Sequence, residues 1–306
     1  MAISLRSILF VPAANPKALA KAPGLNADAI ILDLEDAVAA AEKDEARAAA
    51  LRALRLAGWN TPLRAVRINA LQSGWAEADL LALAPAGVDV LVIPKVESAA
   101  MLRNARAIMA RAAVVPGRPL PMLWAMVETP RGILNIKDIA ACAVETGLTT
   151  LIAGTNDLAK DLGCDGLAND REAMRSHLAT IVLAARGFGL MALDGVYNAF
   201  GDEKGFAREA KQGKRFGFDG KTLIHPAQIE AANVIFGPSE DAIKHAKAIV
   251  RAFKLKKNAG KGVINLNGEM VERLHLQDAQ ALLDSLPVLS AKPSSPASTR
   301  KGKKPS

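Results

Sequence analysis

MLWAMVETPRGILNIKDIAACAVETGLTTLIAGTND, residues 122–157, contains a short apolar run, a longer Ala-containing stretch and a second apolar run. Met122–Val127 and Thr150–Ala153 are mostly apolar throughout, which is typical of parallel strands buried on both faces. In the stretch between them, Ile133–Glu145, the charged residues fall on one helical face and the apolar residues on the other. The segment therefore predicts a strand–helix–strand unit.

The same unit repeats along the chain. Eight candidate strands are predicted at Ser7–Pro12, Ala29–Leu34, Leu63–Ile68, Val88–Pro94, Met122–Val127, Thr150–Ala153, Leu190–Leu193 and Gly220–Ile224. Helices are predicted at Ala37–Ala57, Ala76–Leu83, Glu97–Ala112, Ile133–Glu145, Arg171–Arg186 and Gly205–Phe216. Eight such units within about 230 residues are typical of an α/β fold of the TIM (β/α)8 barrel type, predicted for residues 1–238. A doubly wound sheet is the alternative, less favoured because no glycine-rich phosphate loop follows the first strand.

A second region follows the barrel pattern. Residues 239–286 predict a helix at Ser239–Lys256, a hairpin turning at Asn267-Gly268 and a helix at Val271–Asp284. We expect this C-terminal extension to cap the barrel or to reach another subunit. Residues 287–306, PVLSAKPSSPASTRKGKKPS, are rich in Pro, Ser and Lys and predict a disordered basic tail.

Charge and composition restrict the function classes. The formal net charge is +8, but five basic residues and no acid lie in residues 287–306, and subtracting these five leaves +3 for residues 1–286. A nucleic-acid or anionic-surface binder acting through the tail stays a non-enzymatic alternative. The 4% aromatic content argues against stacking on single strands, so no nucleic-acid partner is expected. No uncharged apolar stretch is long enough to span a membrane, and two cysteines form no disulfide framework, so we expect a cytoplasmic protein.

Polar residues gather where the predicted strands end. They are Asp33, Glu35, Asp36, Arg67, Asn69, Lys95, Glu97, Glu128, Asn156, Asp157, Asp194 and Lys221. Because a barrel places its chemistry at the C-terminal ends of its strands, we expect these side chains to form one polar cup.

Two acids of this cup predict a metal site. Glu128 and Asp157 follow consecutive strands, which are neighbours in a barrel, so their carboxylates can converge on one hard cation. Mg²⁺ favours one or two carboxylates together with water and substrate oxygens. The alternative is that each carboxylate caps the following helix, which Asp157 could do easily.

Arg67 is the candidate for substrate binding. A strand-end Arg suits bidentate binding of a carboxylate or of a developing enolate oxygen. Its alternative is an ion pair with Glu35 or Asp36. These two acids also favour the start of the next helix, and we expect them to hydrogen-bond metal-bound water or Arg67 rather than to bind the metal.

A further signal comes from eight long segments, which read RSILFVPAANPKALAKA, DAIILDLEDAVA, AVRINALQSGW, VIPKVESA, WAMVETPRGILN, GTNDLAKDLG, DGVYNAFGDEKGF and FDGKTLIHPAQI. They closely resemble the citrate lyase β-subunit family, which includes malyl-CoA and citramalyl-CoA lyases and belongs to the HpcH/HpaI aldolase group. The similarity runs in order from about Arg6 to Leu283.

The resemblance implies a TIM barrel that forms homotrimers or hexamers and uses Mg²⁺ to cleave or form a carbon–carbon bond in an acyl-CoA thioester. The metal-binding Glu and Asp of the family fall on Glu128 and Asp157, and its substrate-binding Arg falls on Arg67. The contacts of the family with coenzyme A fall around Arg6 to Lys21, with Lys21 the clearest match.

Two positions depart from the family pattern. Asn15 stands where many relatives have a basic residue that contacts the coenzyme. Glu272 stands where the lyases supply a catalytic Asp across a subunit interface.

The resemblance together with the cup predicts cleavage of a 3-hydroxyacyl-CoA of the citramalyl-, malyl- or citryl-CoA type into a keto acid and acetyl-CoA. The predicted catalytic residues are Arg67, Glu272, Glu35 and Asp36. The predicted substrate contacts are Arg67, Glu128, Lys21 and Arg6, and the predicted metal ligands are Glu128 and Asp157. An alternative is a pyruvate-type class II aldolase that cleaves free hydroxy-keto acids without CoA, which the departure at Asn15 favours.

Overall fold

The computed structural model of the chain describes residues 4–112, 119–165, 169–255, 258 and 260–284. These residues divide into two compact units, Ser4–Pro238 and the described part of Ser239–Ser306. The tail predicted at 287–306 lies outside the described residues. No helix among the described residues is long and apolar enough to cross a membrane.

The first unit is built on eight parallel strands. They are β1 (Ser7–Pro12), β2 (Ala29–Asp33), β3 (Leu63–Arg67), β4 (Val90–Ile93), β5 (Met122–Val127), β6 (Leu148–Ala153), β7 (Met191–Asp194) and β8 (Gly220–Leu223). Each strand pairs with the next, and β8 pairs with β1, so that the sheet closes on itself. The predicted TIM barrel is therefore confirmed, and each of the eight predicted strands overlaps an observed one.

Helices surround the barrel. They are α1 (Pro16–Lys21), α2 (Lys43–Leu54), α3 (Ala76–Leu83), α4 (Ala99–Arg111), α5 (Pro130–Leu134), α6 (Ile136–Ala141), α7 (Ala143–Thr146), α8 (Thr155–Leu162), α9 (Arg175–Gly187), α10 (Glu203–Phe216) and α11 (Gln228–Phe236). Short 3₁₀ turns lie at Ala22–Gly24, Ala40–Glu42 and Asn169–Met174. The helix predicted at Ile133–Glu145 is three short helices, because the backbone leaves helical geometry at Asn135 and Cys142.

Two apolar layers hold the barrel together. One layer fills the interior and includes Ile8, Ile31, Ala65 and Trp124. The other lies between the strands and the helices. Side chains alternate between the two faces of a strand, so both faces must be apolar, and this explains the nearly continuous apolar runs in the sequence. The same alternation decides which strand-end side chains point into the barrel mouth.

The second unit contains α12 (Glu240–Phe253), an antiparallel hairpin of β9 (Val263–Leu266) and β10 (Glu269–Glu272), and α13 (Arg273–Asp284). The hairpin turns at Asn267 and Gly268, as predicted, and both residues have positive φ. The helix predicted from Val271 begins instead at Arg273. Val271 pairs with Ile264 in the hairpin and is buried in the core of this unit, which explains the difference.

Candidate active site

A cavity of about 380 Å³ opens at the C-terminal ends of the barrel strands. The residues that line it come from several strand ends and from the loops that follow them: Phe10, Pro12, Asp33, Asp36, Ala37, Arg67, Met126, Glu128, Ala153, Gly154, Thr155, Asn156, Asp157, Val196, Asn198, Thr222 and Ile224. The structure thus brings four predicted site residues together around one space, namely Asp36, Arg67, Glu128 and Asp157. This is the end of the fold where barrel enzymes carry their chemistry.

Arg67, the last residue of β3, is held mainly by Asp33. Its Nε and Nη2 atoms donate to the two carboxylate oxygens of Asp33, at 2.7 Å each. Its Nη1 atom donates to Asp36 at 3.0 Å and forms an ion pair with Glu35 at 3.0 Å. Burial acts to lower the pKa of Arg67, but the hydrogen bonds to Asp33 and the three carboxylates outweigh it and raise this pKa further. Arg67 is therefore a permanent, oriented positive charge at the cavity wall.

Asp33 belongs to the predicted polar cup, but the sequence reasoning gave it no role. It is the last residue of β2 and pairs in register with Arg67 on β3, so the two side chains point to the same side of the sheet. Its oxygens also accept the backbone N–H groups of Glu35 and Ala37, which holds the turn after β2. The signal that could have found Asp33 was the position of two opposite charges at the ends of adjacent strands.

Glu128 follows β5 directly and is only 2% exposed. One of its oxygens accepts the backbone N–H of Lys95 at 2.7 Å. Burial, with added repulsion from Glu35, raises the pKa of Glu128 to about 7, and the charge of Arg67 offsets this only in part. Gly154 makes room for the carboxylate, since a Cβ at that position would overlap the Glu128 side chain. A further positive charge beside this buried acid would stabilise its ionised form.

Asp157 lies in the first turn of α8 and is more exposed than Glu128. Its carboxylate lies 3.3 Å from the Nζ atom of Lys95. The residue just before α8 is Gly154, which forms no side-chain cap, so Asp157 lies two residues inside the helix and not at the capping position. The alternative that Asp157 caps the helix is therefore not realised.

The donor set at this point suits a hard cation. Among the described residues, no three His, Cys, Asp or Glu side chains form a complete metal cage. Glu128 and Asp157 both line the cavity, and Mg²⁺ needs only one or two protein carboxylates when water and substrate supply the other oxygens. The residues present therefore fit Mg²⁺.

Lys95 joins the acids of the site to one another. Its Nζ atom lies 2.7 Å from Glu35, 3.3 Å from Asp157 and 3.8 Å from Asp36. Burial acts to lower the pKa of Lys95, but the hydrogen bond to Glu35 and the surrounding negative charge raise it overall. Lys95 belongs to the predicted polar cup, but the sequence reasoning gave it no role.

Two asparagines bridge neighbouring loops at the mouth of the cavity. The amide nitrogen of Asn156 donates to the side-chain oxygen of Asn198 at 3.2 Å, and the amide of Asn198 donates back at 2.9 Å. This reciprocal pair ties the start of α8 to the loop after β7. It thereby fixes the backbone beside Asp157.

Two predicted cup residues point away from the cavity. Asp194 and Lys221, paired in register on β7 and β8, face outward and form an ion pair at 3.0 Å. Arg171 donates to Asp194 at 2.6 Å, and Lys221 also donates to Glu209 on α10 at 2.8 Å. Burial acts to raise the pKa of Asp194, but the charges of Lys221 and Arg171 lower it overall. The expectation that Asp194 and Lys221 belong to the cup was wrong, because each lies on the outward-facing side of its strand.

The predicted coenzyme contacts lie outside the cavity. Arg6 precedes β1, at the opposite end of the barrel from the cavity, and forms a bidentate pair with Asp28 at 2.7 and 2.8 Å. Lys21 is exposed at the last residue of α1. Asn15 caps α1 by accepting the N–H of Ala18 at 3.1 Å, which gives the departure at this position a structural role. The pairing of Arg6 with Asp28 gives this residue a structural role, and its predicted contact with substrate stays a prediction.

Glu272 belongs to the second unit. It is exposed at the end of β10, and its N–H donates to His275 at 3.0 Å. Its predicted catalytic role stays a prediction.

The chain is similar to known proteins along most of its length. The model of the HpcH/HpaI aldolase/citrate lyase family matches residues 6–226. A protein of Cereibacter sphaeroides named (3S)-malyl-CoA thioesterase is 46% identical over 286 residues, which cover 94% of this chain and 96% of the relative. The citrate lyase subunit beta of Leuconostoc mesenteroides subsp. cremoris is 35% identical over 280 residues, with 91% and 92% covered.

A solved structure gives the same result. CitE from Mycobacterium tuberculosis, in complex with magnesium, acetoacetate and coenzyme A, superposes with a TM-score of 0.69 and 33% sequence identity, covering 91% of this chain and 97% of that chain. The resemblance stated from the sequence motifs is therefore confirmed.

Proposed function

Because this chain belongs to the HpcH/HpaI aldolase/citrate lyase family, we propose that it is a Mg²⁺-dependent lyase that cleaves a 3-hydroxyacyl-CoA of the citramalyl-, malyl- or citryl-CoA type. The products are a keto acid and acetyl-CoA. The observation that carries the proposal is the meeting of Glu128, Asp157 and Arg67 in one cavity. These residues supply two oxygen ligands for a hard cation and one fixed positive charge for a substrate anion.

Glu128 and Asp157 would hold Mg²⁺. When bound, the cation would act as a Lewis acid and template for the hydroxyl and carboxylate of the substrate. The solved structure of CitE in complex with magnesium, acetoacetate and coenzyme A supports Mg²⁺ as the cation.

Arg67 would stabilise the negative charge that develops during bond cleavage. Asp33 fixes two of the guanidinium nitrogens, so the group needs no reorientation when substrate arrives. Its third nitrogen, Nη1, contacts Asp36, whose side chain is 59% exposed and exchanges partners more easily than that of Asp33. An anionic substrate oxygen can therefore replace Asp36 at Nη1.

Asp36 is the carboxylate placed to take the hydroxyl proton of the substrate, because it lines the cavity while Glu35 lies behind it against Lys95 and Arg67. As that proton leaves, the C–C bond breaks and its electron pair passes to the acetyl-CoA enolate. We assign protonation of this enolate carbon to Glu272 of a neighbouring subunit, which the family resemblance implies. This last assignment requires a homo-oligomer, a trimer or hexamer.

Lys21 remains the candidate contact for coenzyme A, because it is exposed and Asn15 is occupied as a helix cap. If CoA does not contribute to binding, the pyruvate-type aldolase acting on free hydroxy-keto acids becomes the better description.

A second candidate function is hydrolysis of the thioester. The relatives that are 46% identical are named (3S)-malyl-CoA thioesterases, whereas the citrate lyase subunit is 35% identical. In this reaction water adds to the thioester carbonyl, the C–S bond breaks, and the sulfur leaves as the CoA thiol after taking up a proton. The same cation and the same Arg67 would serve both reactions.

Product analysis separates these functions. The protein is incubated with malyl-, citramalyl- and citryl-CoA and, separately, with free hydroxy-keto acids, in the presence of Mg²⁺ or of EDTA. Carbon–carbon cleavage releases a keto acid without a free thiol. Hydrolysis releases one thiol and one hydroxy acid, and cleavage of the free hydroxy-keto acids alone identifies the aldolase. We expect keto acid from a CoA ester only with Mg²⁺, and release of thiol alone would refute the lyase.

Glu128→Gln tests the proposed metal site. Because a bound cation contributes several kcal/mol to catalysis, we expect at least about a 100-fold loss of rate. Glu230→Gln, an exposed carboxylate on α11, is the matched control and should keep the rate. Equal rates in the two variants would contradict the assignment of Glu128.

A further inference from the structure

The backbone of Lys95 supports one of the two proposed metal ligands. Its N–H donates to Glu128 at 2.7 Å, and its φ of +50° lies in the left-handed region, which residues other than glycine rarely adopt. Such a conformation persists only where surrounding contacts hold it, and it is frequent at functional sites.

The side chain of Lys95 contacts the other proposed ligand. Its Nζ atom lies 3.3 Å from Asp157 and 2.7 Å from Glu35, and the side chain is partly exposed. One residue therefore holds Glu128 with its main chain and Asp157 with its ammonium group.

The charges around the site make this link significant. Five carboxylates, those of Asp33, Glu35, Asp36, Glu128 and Asp157, lie around Lys95 and Arg67. A third cation, Lys43, donates to the backbone carbonyls of Leu34 and Glu35. Arg67 is committed to Asp33 through two buried hydrogen bonds. Lys95 is not committed to a single acid, since its Nζ atom lies within 4 Å of three of them.

We propose that Lys95 sets the affinity of the site for divalent cations, because its ammonium group competes with the cation for Asp157 while its backbone N–H holds Glu128 in position. This inference rests on the proposed Mg²⁺ site. A cation bound to Asp157 and an ammonium group on the same carboxylate repel each other at close range. The site therefore binds the cation more weakly than its carboxylates alone would allow, and Lys95 keeps only Glu35 and Asp36 when the cation is bound.

Binding of Mn²⁺ followed by electron paramagnetic resonance, and of Mg²⁺ followed by calorimetry, tests this proposal on the full chain without substrate. Lys95→Met removes the ammonium group and keeps the backbone N–H and much of the bulk. We expect its Kd for Mn²⁺ to fall roughly tenfold. Lys95→Arg keeps the charge and should stay within about twofold of the unaltered protein. An unchanged or raised Kd in Lys95→Met would overturn the proposal.

Combining Lys95→Met with Asp157→Asn tests whether competition for Asp157 causes the change in Kd. If Lys95 competes for Asp157, then Lys95→Met no longer lowers the Kd once Asp157 is neutral. Tightening of equal size in both backgrounds would refute the competition. Lys95→Gln is the second variant, and circular dichroism of each protein checks that it is folded.

A different result would disprove the proposed Mg²⁺ site itself. If Glu128→Gln and Asp157→Asn both bind Mn²⁺ as the unaltered protein does, then the metal site itself is wrong. If they weaken binding and Lys95→Met does not tighten it, then only the role of Lys95 is wrong.

Discussion

Replacing Asp33 by Asn would remove the principal partner of Arg67. The substitution keeps the size of the side chain but places an amide NH₂ opposite a guanidinium N–H, so one of two 2.7 Å hydrogen bonds becomes a contact between two donors. Both side chains are at least nine-tenths buried. Breaking a buried ion pair costs about 3–5 kcal/mol, since the remaining charge loses its compensation.

The expected loss for Asp33→Asn is about 3 kcal/mol of unfolding free energy, at the lower end of that range. Glu35 and Asp36 still neutralise Arg67 through its Nη1 atom, which limits the cost. Asp36→Asn is the matched control, because it changes the same residue type on the same arginine. The Asp36 side chain is mostly exposed, so its loss should cost less than about 1 kcal/mol.

Urea unfolding followed by tryptophan fluorescence measures this difference. The three tryptophans, Trp59, Trp75 and Trp124, all lie in the barrel unit, so the signal reports that unit and not the C-terminal one. The slope of the transition should stay constant while its midpoint shifts. We also expect a raised KM in Asp33→Asn, since Arg67 loses its orientation. If the two variants lose equal stability, then Asp33 does not hold Arg67 as described.

Three further predictions follow from the described contacts. The pKa of Glu128 is raised to about 7 and Mg²⁺ needs the ionised form, so metal affinity should rise with pH up to about 7 and then level off. Calorimetry in two buffers should show that protons are released when the metal binds. A metal affinity that does not change with pH would contradict this prediction. Gly154→Ala should weaken metal binding at least about tenfold because its Cβ displaces Glu128, whereas Gly187→Ala, which has open space, should not. Lys221→Met should lower the unfolding free energy by about 3 kcal/mol because Asp194 stays buried with one partner fewer, as urea unfolding would show.

The ends of the predicted strands were enough to identify much of the site from the sequence. Glu128, Asp157 and Arg67 each follow or end an apolar run, and the barrel then places consecutive runs side by side. The sequence patterns did not lead to a prediction of α8, although the equally long α3 was predicted. Asp157 therefore lies in a helix that the sequence did not predict.

Lys95 shows a different limit. Its importance comes from contacts with Glu35, Asp157 and Glu128, which are 60, 62 and 33 residues away along the chain. No local pattern records such contacts. Only the closed barrel brings the ends of β2, β4, β5 and β6 to one place.

By itself, the sequence determined the eight strands, six helical segments between them and the residue types at the strand ends. These follow from local patterns of apolar and polar residues, which a single chain displays directly. The tertiary structure decided which of those residues face the cavity. Asp33 and Asp194 both end apolar strands, yet Asp33 continues the inward series of Ala29 and Ile31, whereas Asp194 follows inward-facing Leu193 and so points outward. Because side chains alternate along a strand, one residue of difference reverses the direction, and only the register of the closed barrel fixes it.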